Sequence, residues 1–265
     1  MSRYEQGESG SHRLTKYMVG GAPISPELVR RAQAVGVTAW RVYGMTELPF
    51  GTTNLPWASL EERAVREGSP AEGTEVEIVD EELRPLPPRR LGQIRLRSAY
   101  QMIGYTDPQQ HAASIDADGW FYTGDIGELS EDGVLSMRGR IKDLINRGGE
   151  KFSALDIEQL LLRHSAIAEA AVVGVPDDRF GQAVLAVVAL KDGKKWPGDA
   201  AMVEHLVTQS IDPRKVPAHW QTLPKLPRTL SGKVQKYELA EKWQTEVGRA
   251  NSNVTRLVSS VDPNA

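Results

Sequence analysis

Lys233 lies in Leu-Pro-Arg-Thr-Leu-Ser-Gly-Lys-Val-Gln-Lys, residues 226–236. A lysine directly after Ser-Gly can present its ammonium group to a phosphate or carboxylate, or it can simply be solvated on a turn. The phosphate-loop pattern G-x-x-x-x-G-K-[ST] is not met: Pro227 stands five before Gly232, and Val234 follows Lys233. Tyr43-Gly44-Met45-Thr46-Glu47 combines a flat ring, a hydroxyl and a carboxylate suited to Mg²⁺. Gly20-Gly21-Ala22-Pro23 is either a tight turn or a place where backbone can approach a ligand. Asp125 ends Tyr-Thr-Gly-Asp, residues 122–125. It could cap its own turn, or its carboxylate could accept from two vicinal ribose hydroxyls. Arg140, Lys142 and the pair Gly148-Gly149 fall in a charged stretch, residues 139–153, that could equally be a solvated linker.

The elements that must position these residues are legible in part. Residues 14–19 read as a short strand, followed by the glycine turn. Ser25 is a good N-cap, Pro26 fits the first helical position, and Gly36 ends the helix. Residues 37–44 then read as a strand. This single α/β unit is too small for a complete sheet domain, and its strands lack neighbours. From Thr74 to Arg140 four short strands alternate with turns, Asp132-Gly133 being a hairpin signal. They predict a small, mostly antiparallel, β-barrel-like subdomain. From Lys142 the pattern becomes α+β. Ser153 caps a helix, residues 168–175 and 183–191 are apolar runs of strand length, and residues 199–210 and 237–247 are amphipathic helices. The expected division is 1–140, split into an α/β remnant (14–58) and the β subdomain (59–140), followed by 141–265. Residues 1–13 are polar, and their composition predicts disorder.

Composition narrows the function. The 265 residues carry 32 Lys and Arg against 35 Asp and Glu, a net charge of −3. No global field would draw the chain to nucleic acid or an anionic membrane. The basic residues around 225–236 lack aromatic interleaving apart from Tyr237, which disfavours a nucleic-acid module. There is no cysteine, so disulfides and thiolate zinc sites are excluded. The five histidines (His12, His111, His164, His205 and His219) are far apart in sequence, and a metal held by protein nitrogen is not expected. No apolar run reaches the length of a membrane span and no signal peptide is evident, so a cytoplasmic protein is expected.

The order of the motifs resembles the adenylate-forming superfamily of acyl-CoA synthetases, luciferases and peptide-synthetase adenylation domains. The resemblance runs from about Tyr17 to about Leu239. It implies that a carboxylic acid attacks the α-phosphate of ATP in the presence of Mg²⁺, and that coenzyme A then takes the acyl group from acyl-AMP. Gly20, Gly21 and Ala22 would line the adenine and α-phosphate, and Tyr43, with Gly44 beside it, would stack on adenine. Thr46 would bond the α-phosphate, and Glu47 would help hold Mg²⁺. Asp125 would bind the ribose hydroxyls, with Arg140 beside it. Lys142 matches the hinge of a mobile C-terminal domain. Gly148 and Gly149 match the loop beside the pantetheine path. Lys233 would bridge the substrate carboxylate and the α-phosphate.

The sequence departs from that family in one respect. The Ser/Thr/Gly-rich loop that cradles the β- and γ-phosphates is not found, nor is most of the acid pocket. The chain therefore reads as the C-terminal portion of an acid–CoA ligase, weak or inactive alone, with a missing N-terminal half as possible partner. The alternative is a non-catalytic protein that binds AMP or acyl-AMP. Residues 147–158 look like the acyl-CoA synthetase form of their motif, and the absence of a carrier domain after residue 265 disfavours the peptide-synthetase form. The apolar wall formed by Gly44, Met45, Leu48, Pro49 and Phe50 points to a medium- or long-chain fatty, cyclic or aryl acid.

Overall fold

The computed structural model describes residues 14–22, 24–230 and 232–246. The expectation of disorder over 1–13 lies outside these residues, as do Pro23 and Ser231. The chain divides into two compact units, one through Lys142 and one from Asp143.

The first unit opens with β1 (Lys16–Val19), α1 (Pro26–Ala34) and β2 (Thr38–Met45), with β2 parallel to β1. The Ser25 hydroxyl accepts from the Glu27 amide, and Gly36 takes a left-handed φ of 79° where the chain turns into β2. The expectation that this unit lacks neighbours needs correcting. Thr46 and Glu47 form the tip of a hairpin that returns as β3 (Leu48–Thr53), which pairs in turn with β4 (Ser69–Pro70), giving the order β1-β2-β3-β4. Strand β1 is an edge of this sheet. Helix α2 (Leu60–Val65) starts with a capping box between Ser59 and Glu62. Sequence placed α2 in the β subdomain, yet its Ala64 is buried with Val29, Ala32, Val37 and Ala39 of the α/β unit.

Strands β5 (Thr74–Val79), β6 (Gly92–Ser98), β7 (Phe121–Leu129) and β8 (Leu135–Arg140) form an antiparallel sheet in sequence order. Helix α3 (Pro108–Ser114) lies between β6 and β7 in the chain. The sheet is open, and the barrel-like expectation is corrected: β5 and β8 do not pair with each other. Ile78, Ile94, Leu96 and Leu135 on its inner face pack against Tyr43 and Leu48 of the β2–β3 hairpin. The sheet thus buries its apolar face without curling on itself. A buried ion pair joins the two sheets. Arg41 lies 2.6 Å from Glu67, whose second carboxylate oxygen accepts from the Met137 amide at 2.7 Å.

In the second unit β9 (Leu144–Arg147) and β10 (Glu150–Ser153) form a hairpin, and Ser153 caps α4 (Ala154–Leu161). Strand β12 (Gly181–Leu190) pairs antiparallel with β11 (Ile167–Asp177) and parallel with β13 (His219–Thr222). Alternate residues of β12 enter two cores. Val184, Ala186 and Val188 pack with α4 and α5 (Asp199–Thr208), while Leu185 and Val187 pack with Leu226 and with Leu239 of α6, residues 236–246. Apolar cover on both faces explains why the strand reads as an unbroken hydrophobic run.

Candidate functional site

In the first unit, parallel pairing ends with Val19 beside Arg41, which brings Gly20 level with Val42. A Cβ at Gly20 would lie 2.5 Å from the Val42 carbonyl oxygen, so close approach of the two backbones requires glycine. Gly21 has φ 79° and open space where a side chain would project. Gly20, Gly21 and Ala22 are all exposed.

One residue beyond Val42, Tyr43 points into the junction of the two sheets and is 6 % exposed. Its hydroxyl donates to Asp125 Oδ2 at 2.7 Å. Burial pushes the Tyr43 phenol well above its ordinary value. The negative Asp125 pushes the same way, against smaller opposing effects of the Thr123 side chain and then of Arg140. Asp125 is 4 % exposed and sits on β7 directly across from Arg140 on β8. Arg140 Nε donates to Asp125 Oδ1 at 2.8 Å. The Asp125 amide donates to Thr123 Oγ1 at 3.0 Å, and that hydroxyl donates to the Ile94 carbonyl at 2.8 Å. Gly124 has φ 70°, so the backbone beside the carboxylate is in the left-handed region. Tyr43, Asp125 and Arg140, widely spaced in sequence, thus form one hydrogen-bonded cluster.

Gly44 occupies the bulge between β2 and β3, where a Cβ would lie 2.1 Å from the Pro49 carbonyl oxygen. Thr46 is exposed and Glu47 half-buried at the hairpin tip. The Glu47 carbonyl accepts from the Met102 amide at 2.8 Å, and Tyr105 donates its hydroxyl to Glu47 Oε1 at 2.8 Å. Tyr105 is a functional candidate that sequence reasoning missed. Among the described residues no group of three or more His, Asp or Glu could hold a metal. A lone carboxylate fits Mg²⁺ bound chiefly through phosphate oxygens.

Lys142 is exposed at the end of the first unit. In the second unit Gly148 and Gly149 have φ 63° and 88° and make the two-residue turn between β9 and β10. A mirror-type hairpin turn needs positive φ at both positions, which explains the glycine pair. The turn is anchored where Gly148 donates to the Phe180 carbonyl at 2.8 Å.

The backbone of the Lys233 loop is braced. Thr229 donates to the Lys233 carbonyl at 2.9 Å, Lys233 donates to Thr229 Oγ1 at 3.1 Å, and Arg228 Nη1 donates to the Gly232 carbonyl at 2.6 Å. Lys233 itself is exposed, and its ammonium makes no ion pair among the described residues. Three residues on, Lys236 Nζ lies 2.7 Å from Glu158 Oε1, which also accepts from the Val172 amide at 2.7 Å. Burial pushes Glu158 above the usual carboxylate range, and Lys236 opposes that. This pair was also missed by sequence reasoning. A signal for it exists: Glu158 falls on the apolar face of its helix, three residues from Leu155 and three from Leu161.

The chain thus has two units, with a buried, braced carboxylate in one and an exposed lysine on a braced loop in the other. The family model for the AMP-binding enzyme matches residues 2–106, and that for the AMP-binding enzyme C-terminal domain matches residues 156–233. The chain belongs to the AMP-binding, adenylate-forming enzyme superfamily. It is 35 % identical over 228 residues to the medium-chain fatty-acid–CoA ligase of Escherichia coli (strain K12), covering 85 % of this chain and 40 % of that protein. It is 32 % identical over 258 residues to the long-chain-fatty-acid–CoA ligase of Thermus thermophilus, covering 92 % and 47 %. Among solved structures, ATP-bound MatB from Rhodopseudomonas palustris superposes with a TM-score of 0.81 at 29 % identity, over 92 % of this chain and 50 % of that one. O-succinylbenzoate coenzyme A synthetase from Bacillus subtilis in complex with AMP gives 0.79 at 28 % identity, over 90 % and 48 %. The chain thus spans about half the length of the relatives it matches. Among the described residues no helix is long and apolar enough to cross a membrane.

Proposed function

We propose that this chain contributes the AMP side and the catalytic lysine of an acid–CoA ligase, which converts ATP, a carboxylic acid and CoA into acyl-CoA, AMP and pyrophosphate through an acyl-adenylate. The observation that carries this reading is Lys233, a cation without an ion pair among the described residues, on a loop braced by backbone and side-chain hydrogen bonds to Thr229 and Arg228. A carboxylate oxygen attacking the α-phosphorus brings two anions together as the bond to pyrophosphate breaks. The Lys233 ammonium offsets that repulsion and stabilises the developing charge. A well-placed donor of this kind contributes ~3 kcal/mol to the transition state. Thr46 bonds the α-phosphate, Asp125 and Arg140 hold the ribose, and the Gly20–Ala22 backbone lies against the nucleotide. Mg²⁺, when bound at Glu47, neutralises phosphate charge. Lys142 is proposed as the pivot that exchanges the two half-reactions, and Gly148-Gly149 as the turn beside the thiol's path. The acid is proposed to be a fatty, cyclic or aryl one. Names of relatives such as the fatty-acid–CoA ligases of Escherichia coli and Thermus thermophilus support the fatty member of that set.

The test is acid-dependent exchange of pyrophosphate into ATP. The chain alone is expected to show none, and a polypeptide carrying the phosphate loop, added in trans, is expected to restore it. Lys233→Ala should then lower the restored rate by roughly two decades. Restored exchange at full rate in that variant removes the lysine from the mechanism.

A further inference from the structure

Asp125 is held from both sides. An ionised carboxylate has about four acceptor positions, two on each oxygen. Tyr43 occupies one on Oδ2 and Arg140 Nε occupies one on Oδ1. One position remains on each oxygen, which is the number two vicinal hydroxyls would use. The two donors come from different elements. Tyr43 is on β2 of the first sheet, and Arg140 is on β8 of the second, paired with Asp125. Arg140 reaches in from a side chain that is 41 % exposed, whereas Tyr43 approaches through the core and is 6 % exposed. With its ring packed beside Leu48, Ile94 and Leu96, Tyr43 has little freedom to swing its hydroxyl away. Its raised phenol pKa keeps the proton in place, so it remains a donor to the carboxylate.

We propose that Tyr43 is a positioning residue that acts through Asp125. Its hydroxyl fixes the carboxylate so that the remaining acceptor position on each oxygen meets one hydroxyl of a nucleotide cis-diol. Tyr43 thereby sets the preference for ribose over deoxyribose. This rests on the reading of Asp125 as the ribose-binding carboxylate, and it assigns the Tyr43 hydroxyl a task separate from any contact its ring makes with adenine. Sites built to pair a substrate hydroxyl reject the analogue lacking it, because their own polar groups are then left unpaired. Loss of the Tyr43 donor frees the carboxylate to turn, so that discrimination falls although the adenine surface is unchanged.

Calorimetry with AMP and 2′-deoxy-AMP on the full chain tests this. The wild type is expected to bind AMP more tightly than the deoxy analogue. Tyr43→Phe keeps the ring and removes the donor. It should weaken AMP binding roughly tenfold and leave 2′-deoxy-AMP within about twofold of wild type, collapsing the ratio. Placing 4-fluorophenylalanine at position 43 fills the hydroxyl's volume without a donor and must give the same result, even where the Phe variant does not fold. Equal weakening of both ligands indicates a structural or stacking role and overturns the proposal, as does an unchanged ratio. Asp125→Asn separates the premise from the inference. If it leaves AMP affinity unaltered, or if the wild type binds no AMP, Asp125 is not the ribose carboxylate and the premise fails. If AMP affinity falls in Asp125→Asn while Tyr43→Phe keeps the wild-type ratio, the premise stands and the Tyr43 role is wrong.

Discussion

His164 shows how one side chain can carry a pH dependence that composition does not reveal. It lies 41 residues from His205 in sequence, yet the two rings meet edge-on with centroids 5.0 Å apart. His164 Nδ1 accepts from the Ala166 amide at 3.2 Å, and His205 Nε2 lies 3.0 Å from the Leu160 carbonyl. Partial burial lowers the His164 pKa below 6.5, and the nearby His205 and Lys191 lower it further. The folded state therefore favours the neutral imidazole. Its contribution to stability is present above pH 6.5 and is lost as pH falls below it, because the unfolded chain takes up the proton more readily. Urea midpoints between pH 7.5 and 5.5 are expected to fall in the wild type and to fall less in His164→Gln. Parallel profiles would exclude His164 as the source.

At the scale of elements, buried ion pairs tie together pieces that local sequence cannot connect. Lys236 begins α6, where the positive end of the helix dipole disfavours a cation. Glu158 of α4 holds it there, and Asp143 lies 3.8 Å from the same ammonium. The pair seats the helix that follows the Lys233 loop. Lys236→Met leaves a buried carboxylate without its cation and should destabilise the second unit by about 3 to 5 kcal/mol. The variant raises the Glu158 pKa further. Stability is then retained where Glu158 is protonated and lost as pH rises through its folded value. The deficit in urea midpoint is thus expected to be larger at pH 8 than at pH 5, and a deficit that shrinks with rising pH would contradict this. In the first unit Arg41 and Glu67 play the corresponding part. Arg41 follows the inward alternation of Ala39 and Tyr43 along β2, so its burial could have been read from the strand period. Its partner could not.

At the scale of the whole molecule, the chain separates into two compact units with cores of their own. Units of this kind unfold separately unless a large apolar interface couples them. Scanning calorimetry is expected to resolve two transitions. Glu67→Gln should lower one and Lys236→Met the other, each by several degrees. A single transition shifted equally by both substitutions would show that the units unfold together. The same scale explains what sequence misjudged. The β2–β3 hairpin supplies a neighbour for the short α/β unit and an apolar surface for the second sheet, so that sheet stays open. Tertiary packing decided this, because no strand length or turn residue records which surface will cover a face.

The sequence by itself determined what depends on near neighbours along the chain. The Ser25 and Ser153 caps, the Pro26 start and Gly36 end of α1 and the unbroken run of β12 follow from rules spanning at most a few turns or strand residues. The order of motifs that assigns the family is read from the sequence too, though it runs from Gly20 to Lys233 and not between near neighbours. Only the tertiary structure decided which charges meet. Tyr43 and Asp125 are 82 residues apart, Arg41 of β2 meets Glu67 in the connection between α2 and β4, and Lys236 and Glu158 lie in different helices. Periodicity shows that a side chain points inward, but its partner is set by how separate elements cross. A buried charge or hydroxyl is tolerable only where that crossing brings a matching group within hydrogen-bond reach.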